Sequence, residues 1–296
     1  MSGWLVASLI NTLTVVVGPM VTPWLNQHVV GSGIIGAYFA GSAVIAAMIT
    51  ILSTGHIQSP DPWVLLSGFL FGAGVLSVQK ATERSPEPAL AVAIPSTRAF
   101  LTATLAFVVL GSTTSFVLGS SYVIQAAMSV ILILVAREYN PRTEPEPWYM
   151  YAGIAAALLS VSDIILKYSG SFDTVLGDTS WFAMAGSVLP LVMNYVKTGS
   201  VFPAYRDKGT VDQTRWWTVL AAMVVVFYIR VITQVLSISL APNPALPRIV
   251  GSLAIPLVAL YAWYTKRYRV TIQEGIVLVV IAVVSASSGY IATISQ

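Results

Sequence analysis

Four ionisable side chains interrupt stretches that are otherwise apolar: Arg98, Asp163, Arg230 and Arg248. A guanidinium offers planar, paired donors that match a carboxylate or a phosphate. A lone carboxylate in the same surroundings can neutralise a cation or take part in coupling or gating. Helical spacing gathers polar companions around these charges. Arg230, Thr233 and Gln234 fall on one face, because residues three and four apart are neighbours on a helix. Arg98 and Thr102 share a face, as do Arg248 and Ser252, and Asp163 stands one turn before Lys167. Asn11, Thr12 and Thr14 are the polar group of the first apolar stretch, and Tyr38, Tyr228 and Tyr261 offer rings for stacking. Three arginines less one aspartate leave a formal +2, so a cavity that gathers them favours an anion. The expected ligand-binding set is Arg98, Arg230, Gln234, Arg248, Ser252, Tyr228 and Asn11, with Asp163 and Lys167 for coupling or gating. A purely structural arrangement stands beside it: Asp163 pairs with Arg98, Arg230 or Lys167, and Arg248 extends to a nearby interface.

The elements that must position these groups are set by composition. The 296 residues are 56% hydrophobic and 9% charged, with a mean hydropathy of +0.79. A soluble protein carries roughly 25% charged residues, so the chain reads as an integral membrane protein. A span needs about 20 predominantly apolar residues. Ten segments qualify: Gly3–Thr22, Gly31–Ser53, Pro62–Gln79, Pro88–Leu110, Ser115–Ala136, Trp148–Tyr168, Thr179–Val196, Trp216–Leu240, Pro244–Thr265 and Ile272–Ile294. The polar, proline-rich stretch 137–147 divides them into residues 1–136 and 148–296, with five spans each. Tryptophans and tyrosines gather at span ends, among them Trp4, Trp63, Trp216 and Trp217, where they are expected as interface anchors.

The two halves carry the same pattern. Phe71–Ser96 aligns without gaps on Phe227–Ser252, matching Phe71 to Phe227, Val75 to Val231, and Pro86, Pro88, Ala89 and Leu90 to Pro242, Pro244, Ala245 and Leu246. A half with an odd number of spans lies inverted relative to its copy, an arrangement that places transporter binding sites at the repeat interface. The basic residues are not repeated: Arg248 matches Val92 and Arg230 matches Gly74.

The SPEPAL and APNPAL junctions, the small-residue helices after them, and TRAFLTATLAFVVLG in the fourth span resemble the drug/metabolite transporter superfamily in its EamA-like branch. Ser112 stands where that family often has an acidic residue. The resemblance implies an all-α fold of ten transmembrane helices, built as two inverted five-helix repeats (5+5) around a central cavity. The first, third, fourth, sixth, eighth and ninth spans would line that cavity, and helix groups would rock to give alternating access. The function it implies is secondary transport of a small anionic or zwitterionic metabolite: an amino acid, organic acid, sugar phosphate or nucleotide sugar. The alternative within the superfamily is export of drug-like or aromatic compounds. Cation export would want an acidic residue in the first or fourth span, and neither has one.

Other classes fit less well. There is no cysteine, and His28 and His56 stand far apart near span ends, so no metal site or other cofactor is expected. A membrane enzyme usually needs His, Cys or paired carboxylates at depth, which Asp163 alone cannot supply. A net charge of +3 does not suggest nucleic acid. The expected partners are the lipid bilayer, a small-molecule substrate, and a coupling proton or counter-substrate. Orientation is contested. Lys80, Arg84, Arg137, Arg142, Lys197, Arg206, Lys208, Arg215, Lys266, Arg267 and Arg269 fall on one side, and Lys167 alone on the other. The positive-inside bias then puts both termini on the non-cytoplasmic side, whereas the resemblance implies the cytoplasm.

Overall fold

A computed structural model describes residues 2–29, 31–85, 95, 97–112, 116–139, 148–169, 175–203, 205, 212–265 and 270–294. These residues form helices and connecting turns, with no strand among them. Unpaired backbone groups are costly in hydrocarbon, so each apolar run closes its hydrogen bonds within itself. The helices are α1 (Gly3–Asn26), α2 (Gly31–Thr54), α3 (Pro62–Arg84), α4 (Arg98–Leu110), α5 (Phe116–Tyr139), α6 (Trp148–Ser169), α7 (Val175–Thr198), α8 (Gln213–Leu240), α9 (Leu246–Gly251), α10 (Ala254–Tyr264) and α11 (Ile272–Ile294). Among the described residues, nine helical segments are long and apolar enough to cross a membrane, counting α9 and α10 as one. This fits a multi-pass membrane protein. The expected fourth span is described only as α4, a shorter apolar helix of 13 residues. The SPEPAL junction at 85–90 lies outside the described residues except for Ser85, and linker residues 140–147 lie outside them too.

Local chemistry sets several helix boundaries. The Asp61 carboxylate caps α3 by accepting from the Trp63 N–H at 2.8 Å, with Pro62 in the first turn, where its missing N–H costs nothing. The Asp212 carboxylate accepts from the Thr214 N–H at 3.1 Å and starts α8 ahead of Trp216. Gly111 ends α4 at φ 62°, a left-handed turn that glycine adopts without strain. The ninth span is split. Pro256 has no N–H for the Ser252 carbonyl, and its ring crowds that carbonyl. The Ile255 N–H bonds to it at 3.0 Å instead, in the tighter turn between α9 and α10.

The interior is built by α3 packed on α6 and α7, α8 packed on α1 and α2, and α2 packed on α7. α4 lies on α5 and α6, α9 and α10 lie on α1 and α11, and α5 lies on α11. Phe39, Phe71, Phe227 and Tyr38 form an aromatic cluster, with Phe39 and Phe227 rings 4.7 Å apart and Tyr38 and Phe227 5.5 Å apart. Trp4 and Trp216 are buried core residues rather than interface anchors, while Trp63 and Trp217 keep about half their surface exposed.

Close approach of α3 to α7 depends on glycine. A Cβ on Gly72 would stand 2.1 Å from the Gly186 carbonyl oxygen. That oxygen has no helical donor, because residue 190, one turn on, is proline. Gly72→Val is expected to cost about 3 kcal/mol or more, the upper end of overpacking, since backbone rather than a side chain must yield. Gly153→Val is the control, with nothing within 4 Å of its Cβ position. Thermal unfolding of detergent-purified protein checks this, and equal midpoints for the two variants would count against it.

Candidate functional site

Three helices of the second half converge on a closed polar triad. α6 supplies Asp163, α8 supplies Gln234 and α9 supplies Arg248, all essentially inaccessible. Arg248 donates through Nε to Asp163 Oδ2 at 2.5 Å and through Nη2 to Asp163 Oδ1 at 2.5 Å. Its Nη1 donates to Gln234 Oε1 at 2.7 Å, and Gln234 Nε2 donates to Asp163 Oδ1 at 3.0 Å. Each member therefore satisfies the other two. The pairing is two-toothed, the strongest geometry a guanidinium and a carboxylate adopt. As a unit the triad is neutral.

Local sequence explains how Arg248 gets there. After α8 ends, the Asn243 side chain accepts from the Ala245 N–H at 2.9 Å, and the Leu246 N–H bonds to the Asn243 carbonyl at 3.1 Å. This turn, with Pro247 opening α9, aims Arg248 inward. Ala241, Asn243, Ala245 and Leu246 are buried, and Arg248 itself is only 3% exposed, with its head committed to Asp163 and Gln234. The snorkelling arrangement expected as an alternative is thus overturned, as is pairing of Asp163 with Arg98 or Arg230. Ser112 also meets this turn, accepting from Asn243 Nδ2 at 3.4 Å.

Arg230 and Arg98 flank the triad. Arg230 precedes Gln234 by one turn on α8. Its guanidinium carbon lies 5.3 Å from the Phe227 ring centroid and 5.9 Å from that of Phe71, so two aromatic faces hold the cation. The Arg98 carbonyl accepts from Ser160 Oγ at 3.4 Å, which sets Arg98 against α6 one turn before Asp163. The charges of Arg248, Asp163 and Arg230 all bear on Arg98. Among the described residues no carboxylate pairs with Arg98 or Arg230; the ion pair there is Arg248 with Asp163. Both flanking arginines keep part of their surface accessible.

The other expected residues divide. Asn11 joins the group: its Nδ2 donates to the Arg230 carbonyl at 2.8 Å and to Thr233 Oγ1 at 3.4 Å, tying α1 to α8. Lys167 does not pair with Asp163. Its Nζ donates to the Ser239 and Ala241 carbonyls at 2.9 and 2.7 Å, where the end of α8 leaves carbonyls without helical donors and favours a cation. Ser252 caps α9, its N–H on the Arg248 carbonyl at 3.2 Å, but its hydroxyl does not join the triad. It donates to the Ile249 carbonyl at 2.6 Å and meets Ser285 Oγ at 2.7 Å. Tyr228 is two residues from Arg230, hence on another face of α8, and does not share its surroundings. Thr102 is buried on α4. Phe71 and Phe227 were not among the expected site residues. Their mark in the sequence is that they match each other in the internal repeat. Among the described residues no three His, Cys, Asp or Glu side chains gather as a metal site.

No family model matches the chain, and no curated protein matches it. The chain is similar to a solved structure described only as the crystal structure of a protein. The two share 17% sequence identity and a TM-score of 0.73, over 100% of this chain and 99% of that one. This likeness establishes the fold and carries no substrate or activity.

Proposed function

We propose that the chain is a secondary transporter of a small organic anion or zwitterion, working by alternating access between two inverted five-span halves. The observation that carries this is the pair Arg98 and Arg230: two guanidiniums inside an apolar bundle, with partly accessible surface and, among the described residues, no carboxylate of their own. A charge at membrane depth costs roughly 2.5–3.5 kcal/mol even on permissive scales. A scaffold role gives no reason to hold two of them unpaired, whereas an anion arriving between them offsets that cost.

The helix pairings support the repeat. Exchange α1 with α6, α2 with α7, α3 with α8, α4 with α9–α10, and α5 with α11. The packing of α3 on α6 then becomes that of α8 on α1, and α3 on α7 becomes α8 on α2. Likewise α4 on α6 becomes α9–α10 on α1, while α2 on α7 and α5 on α11 map onto themselves. Phe71 and Phe227 are exchanged by the same operation, and the Arg230 head lies at nearly equal distances from their rings. This supports assigning Arg230 to the repeat interface, where such proteins bind their cargo. The superfamily's drug-like and aromatic cargo is favoured less, because Tyr38, Phe39, Phe71 and Phe227 pack on one another.

Thermal-shift screening of the detergent-purified protein tests the reading, since a ligand of the native state raises apparent stability. Organic acids, amino acids, sugar phosphates and nucleotide sugars are expected to raise the midpoint and to enter proteoliposomes. Stabilisation by cationic drugs alone would overturn it. Orientation has its own test. A C-terminal alkaline phosphatase fusion is expected to be active and a green fluorescent fusion dark, following the basic bias of the loops. The opposite pattern would show that inherited topology overrides that bias.

A further inference from the structure

We infer that the ligand carries two negative charges on one small molecule, as a dicarboxylate or a phosphate monoester does, and that Asp163 sets this number. The inference rests on the transport reading above and narrows it. Arg248 already gives Nε and Nη2 to Asp163 and Nη1 to Gln234. The triad contributes no net charge and no free guanidinium edge toward that carboxylate. Beside the triad, two cations without a carboxylate partner among the described residues remain, Arg98 and Arg230.

Their placement suits one compact ligand. Ser160, which touches the Arg98 backbone, lies one turn before Asp163 on α6, and Arg230 lies one turn before Gln234 on α8. Successive membrane spans alternate in direction, so the sixth and eighth run the same way. Both arginines therefore lie on the same side of the triad, about one helical turn from it. Asn11, fixed to the Arg230 carbonyl and Thr233, closes this layer from α1. A monoanion would leave one guanidinium uncompensated, and a trianion would bring a charge for which Arg248 is not available. Phosphate monoesters carry about −1.5 to −2 at neutral pH, and dicarboxylates carry two full charges. The shared chemistry is the charge pair.

A graded series at low ionic strength tests this on the purified full-length protein, reading affinity from the concentration dependence of the thermal midpoint. The probes are butyrate, succinate and tricarballylate, with one, two and three carboxylates, and glycerol phosphate for the ester. Succinate or glycerol phosphate is expected to bind about tenfold or more tighter than butyrate, the step of one charge-assisted contact. Tricarballylate should gain nothing further. Whichever of succinate and glycerol phosphate binds tighter identifies the source of the charge. Arg98→Gln and Arg230→Gln should each reduce the dianion to the affinity of butyrate, and Asp163→Asn, by releasing Arg248, should make tricarballylate the tightest of the series. Butyrate binding as tightly as both dianions would overturn the charge count while leaving anion transport standing. Tricarballylate binding tightest to the parent protein would show that Arg248 is not withheld. Binding of cationic compounds with none of the four anions would overturn this inference and the transport reading together.

Discussion

Asp163→Ala is expected to destabilise the protein by about 3–5 kcal/mol, the usual cost of breaking a buried ion pair from one side. The cost arises less from the lost attraction than from what remains. Arg248 would be left buried with Gln234 alone, and Arg98 would lose a carboxylate whose charge offsets part of its own. Arg248→Met should be less harmful than Asp163→Ala if Arg98 takes up part of the attraction to Asp163. The double variant Asp163→Ala, Arg248→Met should recover most of the loss, because replacing a buried pair with apolar groups is often close to neutral. Thermal unfolding of the four proteins closes the cycle. A double variant no more stable than Asp163→Ala would mean that the two side chains are not energetically coupled, whatever their distance.

The spans were legible in the sequence because the constraint on them is local. A run of apolar residues in lipid has to satisfy its own backbone, and α11 begins and ends at Ile272 and Ile294 as composition alone indicated. That Arg98, Asp163, Arg230 and Arg248 fall within helices was legible for the same reason. Pairing of charges was not, because it depends on where neighbouring elements end. Lys167 looked like the natural companion of Asp163, one turn away on the same helix. The free carbonyls at the end of α8 took it instead, and helical periodicity within α6 says nothing about the end of another helix. Arg248 looked close to a span boundary, within reach of water. Arg248 is instead buried in its pair with Asp163, so position near a span boundary did not mean exposure. Ser252 stays one helical turn from Arg248, its N–H on the Arg248 carbonyl at 3.2 Å, but its hydroxyl is taken by the Ile249 carbonyl and Ser285.

The same reasoning separates residues that hold the fold from those that serve a ligand. Gln234 was grouped with Arg230 by spacing, yet its side chain is committed to Asp163 and Arg248. Asn11 is committed to the α8 backbone. Arg98 and Arg230 remain as the charges in this group that no carboxylate among the described residues pairs with.

Arg230→Ala is therefore expected to reverse the pattern of Asp163→Ala: function lost, stability kept or gained. Removing the guanidinium relieves an unpaired charge from a low-dielectric interior, at the loss of its contacts with the Phe71 and Phe227 rings, worth about 0.5–2 kcal/mol. The two nearly cancel, so the thermal midpoint should stay within a few degrees of the parent or rise. Transport should fall about 30-fold or more, since losing one side of a desolvated charge contact costs about 2 kcal/mol or more. Arg230→Lys keeps the charge but not the planar paired donors, so it should fold normally and restore only part of the uptake. Uptake into proteoliposomes, measured beside the unfolding midpoint, distinguishes the roles. Parent-like uptake in the alanine variant would remove Arg230 from the binding site. A midpoint falling as far as that of Asp163→Ala would make Arg230 a structural cation, stabilised by the aromatic rings rather than kept for a ligand.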